Sequence, residues 1–572
     1  GDHRDLHSFP TRRSSDLHPG MMKPLADYYF AAGINRLVYH VFTHNPWMNR
    51  KPGMTLDRIG TFFQRDQTWW KQSKAWNDYI TRCQEWLQKG LPVTDIAVFT
   101  GEEIPSRAIL PDRLTGILPG IMGEDRVMKE QARLLNAGLP VREIPRGVGT
   151  LENMADPEEW IDPLCGYKYD SFNKDALLRL AAVKGDRIVL PGGASYRLLV
   201  IPGPAKMNPE GDLMSIEVAA KLLELVKNGA SVLMMGKPSG VPGLQHNQTD
   251  IEQMRKIVDR LFPGEPETVP AGHNLRVWKV GKGKIILGPY ASEDFGILGF
   301  RPDFFGMDSV GQRVDFLAWT HRKERNRDIY FISNQKSESA TITLSFHCTG
   351  KAPEIYLPVS GEAIPVRNWK IAGGFTSLAF RFHPNESLFV TFGETDLPPA
   401  EGEGLNNRST ETVTRLEGEW EVSFNPAYGG PVKRITMPEP ALWNENDNDS
   451  IRFYSGTAVY STNFHWDETK QQRNGLYLET DEVHNMAEVR LNGQPCGICW
   501  TQPYRVNIGR YVRQGDNLLE ISVTNCWHNR LIRDYDLPAD RKLTWTTAPY
   551  RLQGRSLMPA GLRGYVRISR EI

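Results

Sequence analysis

Cysteine is scarce in this chain. Six residues (Cys83, Cys165, Cys348, Cys496, Cys499 and Cys526) lie scattered over 572 positions, which excludes a disulfide framework. Cys496 and Cys499 form a lone C-x-x-C with no second pair at zinc spacing, so paired or free strand cysteines are expected there rather than a metal. An excess of either charge is also missing. Lys and Arg together number 68, as do Asp and Glu, and this balance gives no electrostatic reason to expect nucleic acid or a membrane as partner. No apolar run is long enough to span a bilayer. The amino terminus lacks the apolar core of a secretory leader. Residues 1–17 instead resemble the in-frame translation of a sequencing adapter. They are set aside as an artefact, with the expectation that the chain is an amino-terminally truncated fragment and that any targeting signal preceded it.

Aromatic residues, by contrast, are plentiful, with 15 Trp, 19 Tyr and 23 Phe. Such rings suit sugar ligands, whose C–H faces stack on them, and they equally fill deep cores and β-sandwiches. Two apolar runs about sixty residues apart carry the chemistry: 35–46 (NRLVYHVFTHNP) and 93–105 (VTDIAVFTGEEIP). Each has a β-rich core stopped by polar residues and a proline, and a helical pattern separates them. Strand, helix, strand at this spacing predicts a parallel crossover unit. Working residues in such units sit at the carboxyl ends of strands, where His40, Thr43, His44, Glu102 and Glu103 fall.

The rest of the pattern divides the chain. Residues 21–32 read as a helix stopped by Gly33, and Trp69, Ala75, Trp76, Tyr79, Ile80, Cys83, Trp86 and Leu87 keep helical spacing. Residues 18–115 are therefore read as the C-terminal part of a (β/α)8 barrel. Residues 116–305, with an amphipathic helix near 124–137 followed by alternating strands and helices, predict a small doubly wound α/β domain. Residues 306–395 predict a β-sandwich, 396–411 a polar linker, and 412–572 a second sandwich in which Asn492-Gly493 marks a hairpin. The fold class expected is multidomain, α/β plus all-β.

Several long motifs, in order, resemble glycoside hydrolase family 106, the α-L-rhamnosidase-type enzymes. They include 33–46 (GINRLVYHVFTHNP), 68–76 (TWWKQSKAW), 99–103 (FTGEE), 166–170 (GYKYD) and 328–334 (DIYFISN). The last domain, through 487–493 (AEVRLNG), 500–504 (WTQPY) and 515–525 (GDNLLEISVTN), is similar to the galactose-binding-like sandwich of β-galactosidase-type relatives. The resemblance implies an inverting, calcium-assisted exo-enzyme with a (β/α)8 catalytic domain. It also implies a carbohydrate substrate from plant polysaccharides or glycosides and a secreted or periplasmic location.

An inverting glycosidase needs two carboxyl groups roughly 6.5–9.5 Å apart, on opposite faces of the sugar. Neighbouring residues on a strand point to opposite sides, so Glu102 and Glu103 are not that pair. Glu102, on the side of Thr100, is the favoured catalytic base or calcium ligand. Glu103 is the fallback, and the partner carboxylate is expected upstream. The alternative for Glu102 is a strand-end carboxylate paired with an arginine on a neighbouring loop. His40 and His44 are i and i+4 on a strand, roughly 13 Å apart, too far for one zinc. They, with Thr43, are expected to bind sugar hydroxyls, and Trp47, Trp69 and Trp70 to stack on the ring, with helix packing the alternative for Trp69 and Trp70. Trp500, Tyr504, Trp527 and Asn529 are read chiefly as packing the last sandwich against the barrel. A non-catalytic carbohydrate-binding protein and a β-galactosidase-type exo-glycosidase stand as alternatives.

Overall fold

The computed structural model describes residues 17–56, 61–102, 166–204, 211–244, 247–269, 275–288, 298–393, 404–467, 473–548 and 554–572, with scattered positions between them. Glu103 and almost all of the helix expected at 124–137 lie outside the described residues. Two amphipathic helices open the chain, α1 (Pro19–Ala31) and α2 (Ser73–Leu87). Helix α1 begins two residues earlier than its pattern predicts, and Gly33 just beyond it takes φ 98°, a conformation in which glycine carries no Cβ penalty. The apolar stripe of α2, Trp76, Tyr79, Ile80, Cys83 and Leu87, is wholly buried. It packs with Met22, Ala26 and Phe30 of α1 against Ile329, Phe331 and Phe389 of the first sandwich and Met486 and Trp500 of the second. The two helices are thus the wedge on which both sandwiches rest.

Between the helices, the run containing His40 makes one parallel bridge, Phe42 with Phe63. The Val41 N–H donates to the Thr61 carbonyl, the Phe63 N–H to the Val41 carbonyl and the Thr43 N–H to the Phe63 carbonyl. The opposite edge of this run has no strand beside it among the described residues, and Val38 and Phe42 stand 70% and 63% exposed. A strand with one short partner cannot propagate a ladder, whatever its intrinsic preference.

The other apolar run is placed differently from the sequence expectation. Strand Ile96–Phe99 does not form a crossover unit with the His40 run. It lies in a seven-stranded sheet ordered Glu267–Thr268, Arg276–Val280, Gly283–Leu287, Ser231–Met234, Leu198–Ile201, Ile96–Phe99, Tyr169–Phe172. The five strands from Gly283–Leu287 to Tyr169–Phe172 are parallel. One sheet, therefore, joins residues on both sides of the limit expected at 115. The physical reason is in the sequence IAVF: all four residues are buried, and a strand apolar on both faces suits the middle of a covered parallel sheet. Helix α3 (Ile216–Asn228) packs on one face through Val218, Leu222, Leu225 and Val226. Leu114, Leu164, Tyr167 and Phe295 cover the other.

Two sandwiches follow. The first stacks a five-stranded sheet around Ala340–Phe346 on a six-stranded sheet around Ser387–Gly393, and Leu91–Pro92 joins the latter's edge beside Leu317–Glu324. The second opens at Thr410–Arg415, inside the expected linker, and pairs a four-stranded with a six-stranded sheet. Its hairpin turns at Asn492 and Gly493, with φ 52° and 76°, between Met486–Leu491 and Gln494–Cys499. Cys496 and Cys499 are free thiols. Among the described residues no helix is long and apolar enough to cross a membrane.

Candidate carbohydrate site

The residues after the His40 run form a loop clamped from below. Asn45 donates its amide to Asp66 at 2.7 Å and Gln64 donates to the Pro52 carbonyl at 2.7 Å. Gly53, at φ 82°, presses on the Asn45 amide so closely that a Cβ there would collide at 2.4 Å. Asp66 is the hub. It also faces Arg65 at 3.4 Å and Lys51 at 3.9 Å, and its carbonyl accepts the Trp527 indole N–H at 2.8 Å.

The far end of the chain closes over this loop. Pro52–Gly53 pairs in parallel with Trp545–Thr546. The Trp545 N–H donates to Lys51 and the Thr547 N–H to Gly53, while the Thr55 N–H donates to the Thr547 hydroxyl at 3.0 Å. Trp47 and Trp545 meet edge to face at 4.8 Å. The Arg50 guanidinium lies over both rings, 4.5 Å from that of Trp545 and 5.3 Å from that of Trp47, within cation–π range. Lys51 donates to the Tyr428 hydroxyl at 2.8 Å. Sequence reasoning missed Arg50, Lys51, Asp66, Tyr428 and Trp545. Their only local signal is Trp47 followed closely by Arg50 and Lys51, and nothing in the sequence ties that stretch to residue 545.

Of the expected sugar-binding residues, His40 and His44 are exposed and Trp47 half-buried. Thr43 is buried, with its hydroxyl near the Val41 carbonyl. Trp70 is half-buried and tilted against Phe42 at 6.5 Å. Trp69 is fully buried, its indole donating to the Leu17 carbonyl, so it belongs to the core. Trp500 meets Trp76 and Tyr79 at 5.9 and 5.5 Å, which bears out its packing role. Tyr39 stacks on Phe63 at 4.9 Å.

Glu102 has a different place. Its Oε1 accepts the Ser215 N–H at 2.8 Å, just where Ser215 caps α3. Its Oε2 lies 2.9 Å from the Lys174 ammonium, which also pairs with Glu217. Burial works against the Lys174 charge, but the bonds to Glu217 and Glu102 raise its pKa above the ordinary value. A carboxylate at a helix N-terminus with its own lysine is a structural latch. The strand-end carboxylate is paired with Lys174, where the alternative expects an arginine. Glu102 does not fit a calcium site either, because the ammonium occupies the place a cation would take. Among the described residues no group of three or more His, Cys, Asp or Glu is arranged to hold a metal ion. Glu102→Gln is expected to lower the melting midpoint by only a degree or two, since one exposed-side pair contributes about 1 kcal/mol or less. A differential scan checks this.

A family profile described as glycoside hydrolase 106, alpha-L-rhamnosidase, matches residues 9–123 and 150–371, more than half of the chain. The chain belongs to this family. A second profile, a galactose-binding domain-like module of glycosyl hydrolase 2, matches residues 432–557, within the terminal sandwich. A solved rhamnosidase structure from Novosphingobium sp. PP1Y is 30% identical with a TM-score of 0.78, covering 99% of this chain and 47% of that one. A Formosa agariphila protein named "Putative beta-glucuronidase" is 23% identical over 745 residues, covering 92% of this chain and 57% of its own length. The chain thus spans about half the length of the relatives it matches. The family match begins at residue 9, inside the stretch set aside as adapter-derived.

Proposed function

We propose that this protein is a glycoside hydrolase releasing terminal α-L-rhamnosyl residues with inversion, and that the segment 37–47 forms part of the sugar-binding wall. The observation that carries this reading is the family match across that segment, together with its exposed histidines beside the Trp47–Trp545 pair. Residues 18–90 are read as the end of a (β/α)8 barrel. The parallel contact of 41–43 with 61–63, followed by α2, keeps the strand-then-helix order of such a barrel. The exposed edge at Val38 and Phe42 is where further strands would pair, and those strands are the proposed source of both catalytic carboxyl groups. Glu102 is assigned to neither role. His40 and His44 donate to sugar hydroxyls in this scheme. No step is routed through calcium. A secreted or periplasmic location accords with a polysaccharide substrate too large to enter a cell intact.

The test uses the whole protein encoded at the genomic locus, with a panel of nitrophenyl glycosides. The α-L-rhamnoside is expected to be cleaved fastest, with the inverted anomer of rhamnose seen first by NMR. His40→Ala and His44→Ala should each reduce kcat/KM by about tenfold to a hundredfold, the range for one lost hydrogen bond to a charged or polarised partner. Preferential cleavage of a β-glucuronide or β-galactoside would overturn the substrate, and first release of the retained anomer would overturn the mechanism.

A further inference from the structure

Exposure alternates along 42–46. Phe42, His44 and Pro46 face outward while Thr43 and Asn45 are buried, the two-residue period of an extended chain. His44 is therefore aimed by whatever holds its two neighbours. Thr43 is held by its backbone, whose N–H donates to the Phe63 carbonyl at 3.1 Å. Asn45 is held by its side chain. Its amide lies 3.4 Å from the Arg50 and Pro52 carbonyls and donates to the Asp66 carboxylate at 2.7 Å. The last is the shortest of the three and has the charged acceptor, which makes it the strongest. The Asn45 Oδ1 finds no partner among the described residues, so the amide is oriented from its N–H side.

Asp66 is itself pinned on both sides. Its N–H donates to the Gln64 Oε1 at 2.7 Å, and its carbonyl accepts the indole N–H of Trp527 at 2.8 Å. Trp527 belongs to the terminal sandwich and is buried against Phe62, Leu531 and Leu552. A line of hydrogen bonds thus runs from the terminal sandwich through Trp527, Asp66 and Asn45 to the backbone that carries His44. Trp527 and Asn45 are buried and the Asp66 side chain is only 9% exposed, so the exposed histidine is the member of this line that faces outward. We propose that Asp66 and Trp527 are positioning residues that aim His44 at the sugar, and that the terminal sandwich takes part in the reaction through them. The inference rests on the proposed role of 37–47 as a sugar-binding wall. Holding a hydrogen-bonding group in place before the substrate arrives lowers the barrier, and a displacement of about 1 Å can cost up to a hundredfold in rate.

Kinetics of the whole protein encoded at the genomic locus, with nitrophenyl α-L-rhamnoside, test it. Asp66→Ala and Trp527→Phe are each measured alone and together with His44→Ala. Trp527→Phe keeps an aromatic ring and removes the N–H, so it preserves the packing if Asp66→Ala disturbs it. With His44 present, kcat/KM should fall about tenfold for Asp66→Ala and about threefold for Trp527→Phe. With His44 already removed, each should cost less than about twofold, because residues that act through one another are not additive. Asp66→Asn, which keeps an acceptor for Asn45, should recover part of the loss. Equal losses in both backgrounds, or full activity in Trp527→Phe, would overturn the proposal. Hydrogen exchange gives a readout that needs no activity. Amides of 44–53 should exchange faster in Asp66→Ala and Trp527→Phe, with those of α2 unchanged, and unchanged exchange at 44–53 would also overturn it. A parent that fails to cleave the rhamnoside, with faster exchange at 44–53 in the variants, removes the hydrolase reading and leaves the line of bonds standing.

Discussion

Replacing Asp27 by Ala is expected to cost about 3–5 kcal/mol of stability, because it leaves a buried ammonium without its counter-charge. Asp27 and Lys23 are both fully buried on α1, and their charges meet at 2.8 Å. Lys23 also donates to the Asn385 carbonyl at 2.6 Å and the Ser387 hydroxyl at 2.9 Å. Asp27 accepts from Tyr79 of α2 and, at 3.0 Å, from Ser333. Desolvation, then the Asp27 charge, pushes the Tyr79 phenol well above its ordinary value. Two helices and two strands of the first sandwich therefore share one set of bonds. Replacing the pair together, Lys23→Met with Asp27→Leu, should recover most of the loss, since no charge is then stranded. Denaturant unfolding followed by tryptophan fluorescence measures both. A single variant within about 1 kcal/mol of the parent would show that water reaches the site.

The second large effect is centred on His321. Its ring lies between Asp303 at 2.7 Å and Asp328 at 3.1 Å, and stacks on Tyr330 at 3.9 Å. Burial opposes the imidazolium, but the two carboxylates outweigh it and raise the pKa from 6.5 to about 9. Asp328 moves the other way. Burial alone would raise it, and the bonds from His321 and Lys351 hold it well below the usual carboxylate range. The signs follow by linkage. The raised histidine contributes stability that is complete below pH 6.5 and lost as pH rises towards 9. The depressed carboxylate contributes stability that is complete above its ordinary value near 3.8 and lost on further acidification. The first sandwich should therefore be most stable between about pH 4 and 6.5, and should weaken by roughly 3 kcal/mol by pH 9 at 1.36 kcal/mol per pKa unit. His321→Leu should flatten the alkaline slope and lower stability throughout, having left two buried carboxylates facing an apolar side chain. Melting curves from pH 4 to 10 for both proteins decide it. An identical slope in the variant would place the titration elsewhere.

What the sequence made legible follows from how local each signal is. The Asn492-Gly493 hairpin, the stripe of α2 and the alternation in both sandwiches are short-range patterns, and each is present in the structure. The placement of Ile96–Phe99 was not legible. A strand with four apolar residues announces burial on both faces but says nothing about its neighbours, which lie at 169–172 and 198–201. The partners of Glu102 were hidden for the same reason. A carboxylate at a strand end has the same local appearance whether it meets a sugar or a helix cap, and Ser215 and Lys174 are distant in sequence. At the candidate site, the sequence pointed to the His40 run and Trp47. Trp545 and Tyr428 come from a domain whose pattern speaks only of its own core.

The Thr55 backbone meets Thr547 across 492 residues of chain, and this separation has a consequence for biosynthesis. At about 5–20 residues per second a ribosome takes roughly half a minute to a minute and a half to make the intervening polypeptide. Throughout that interval the nascent loop 45–56 and its Trp47 have no roof. The roofed loop is therefore among the last parts of the molecule to be assembled, and a premature stop codon shortly before Trp545 would remove both its roof and the strand Gly561–Glu571 that joins Thr410–Arg415 to Leu476–His484 in the terminal sandwich.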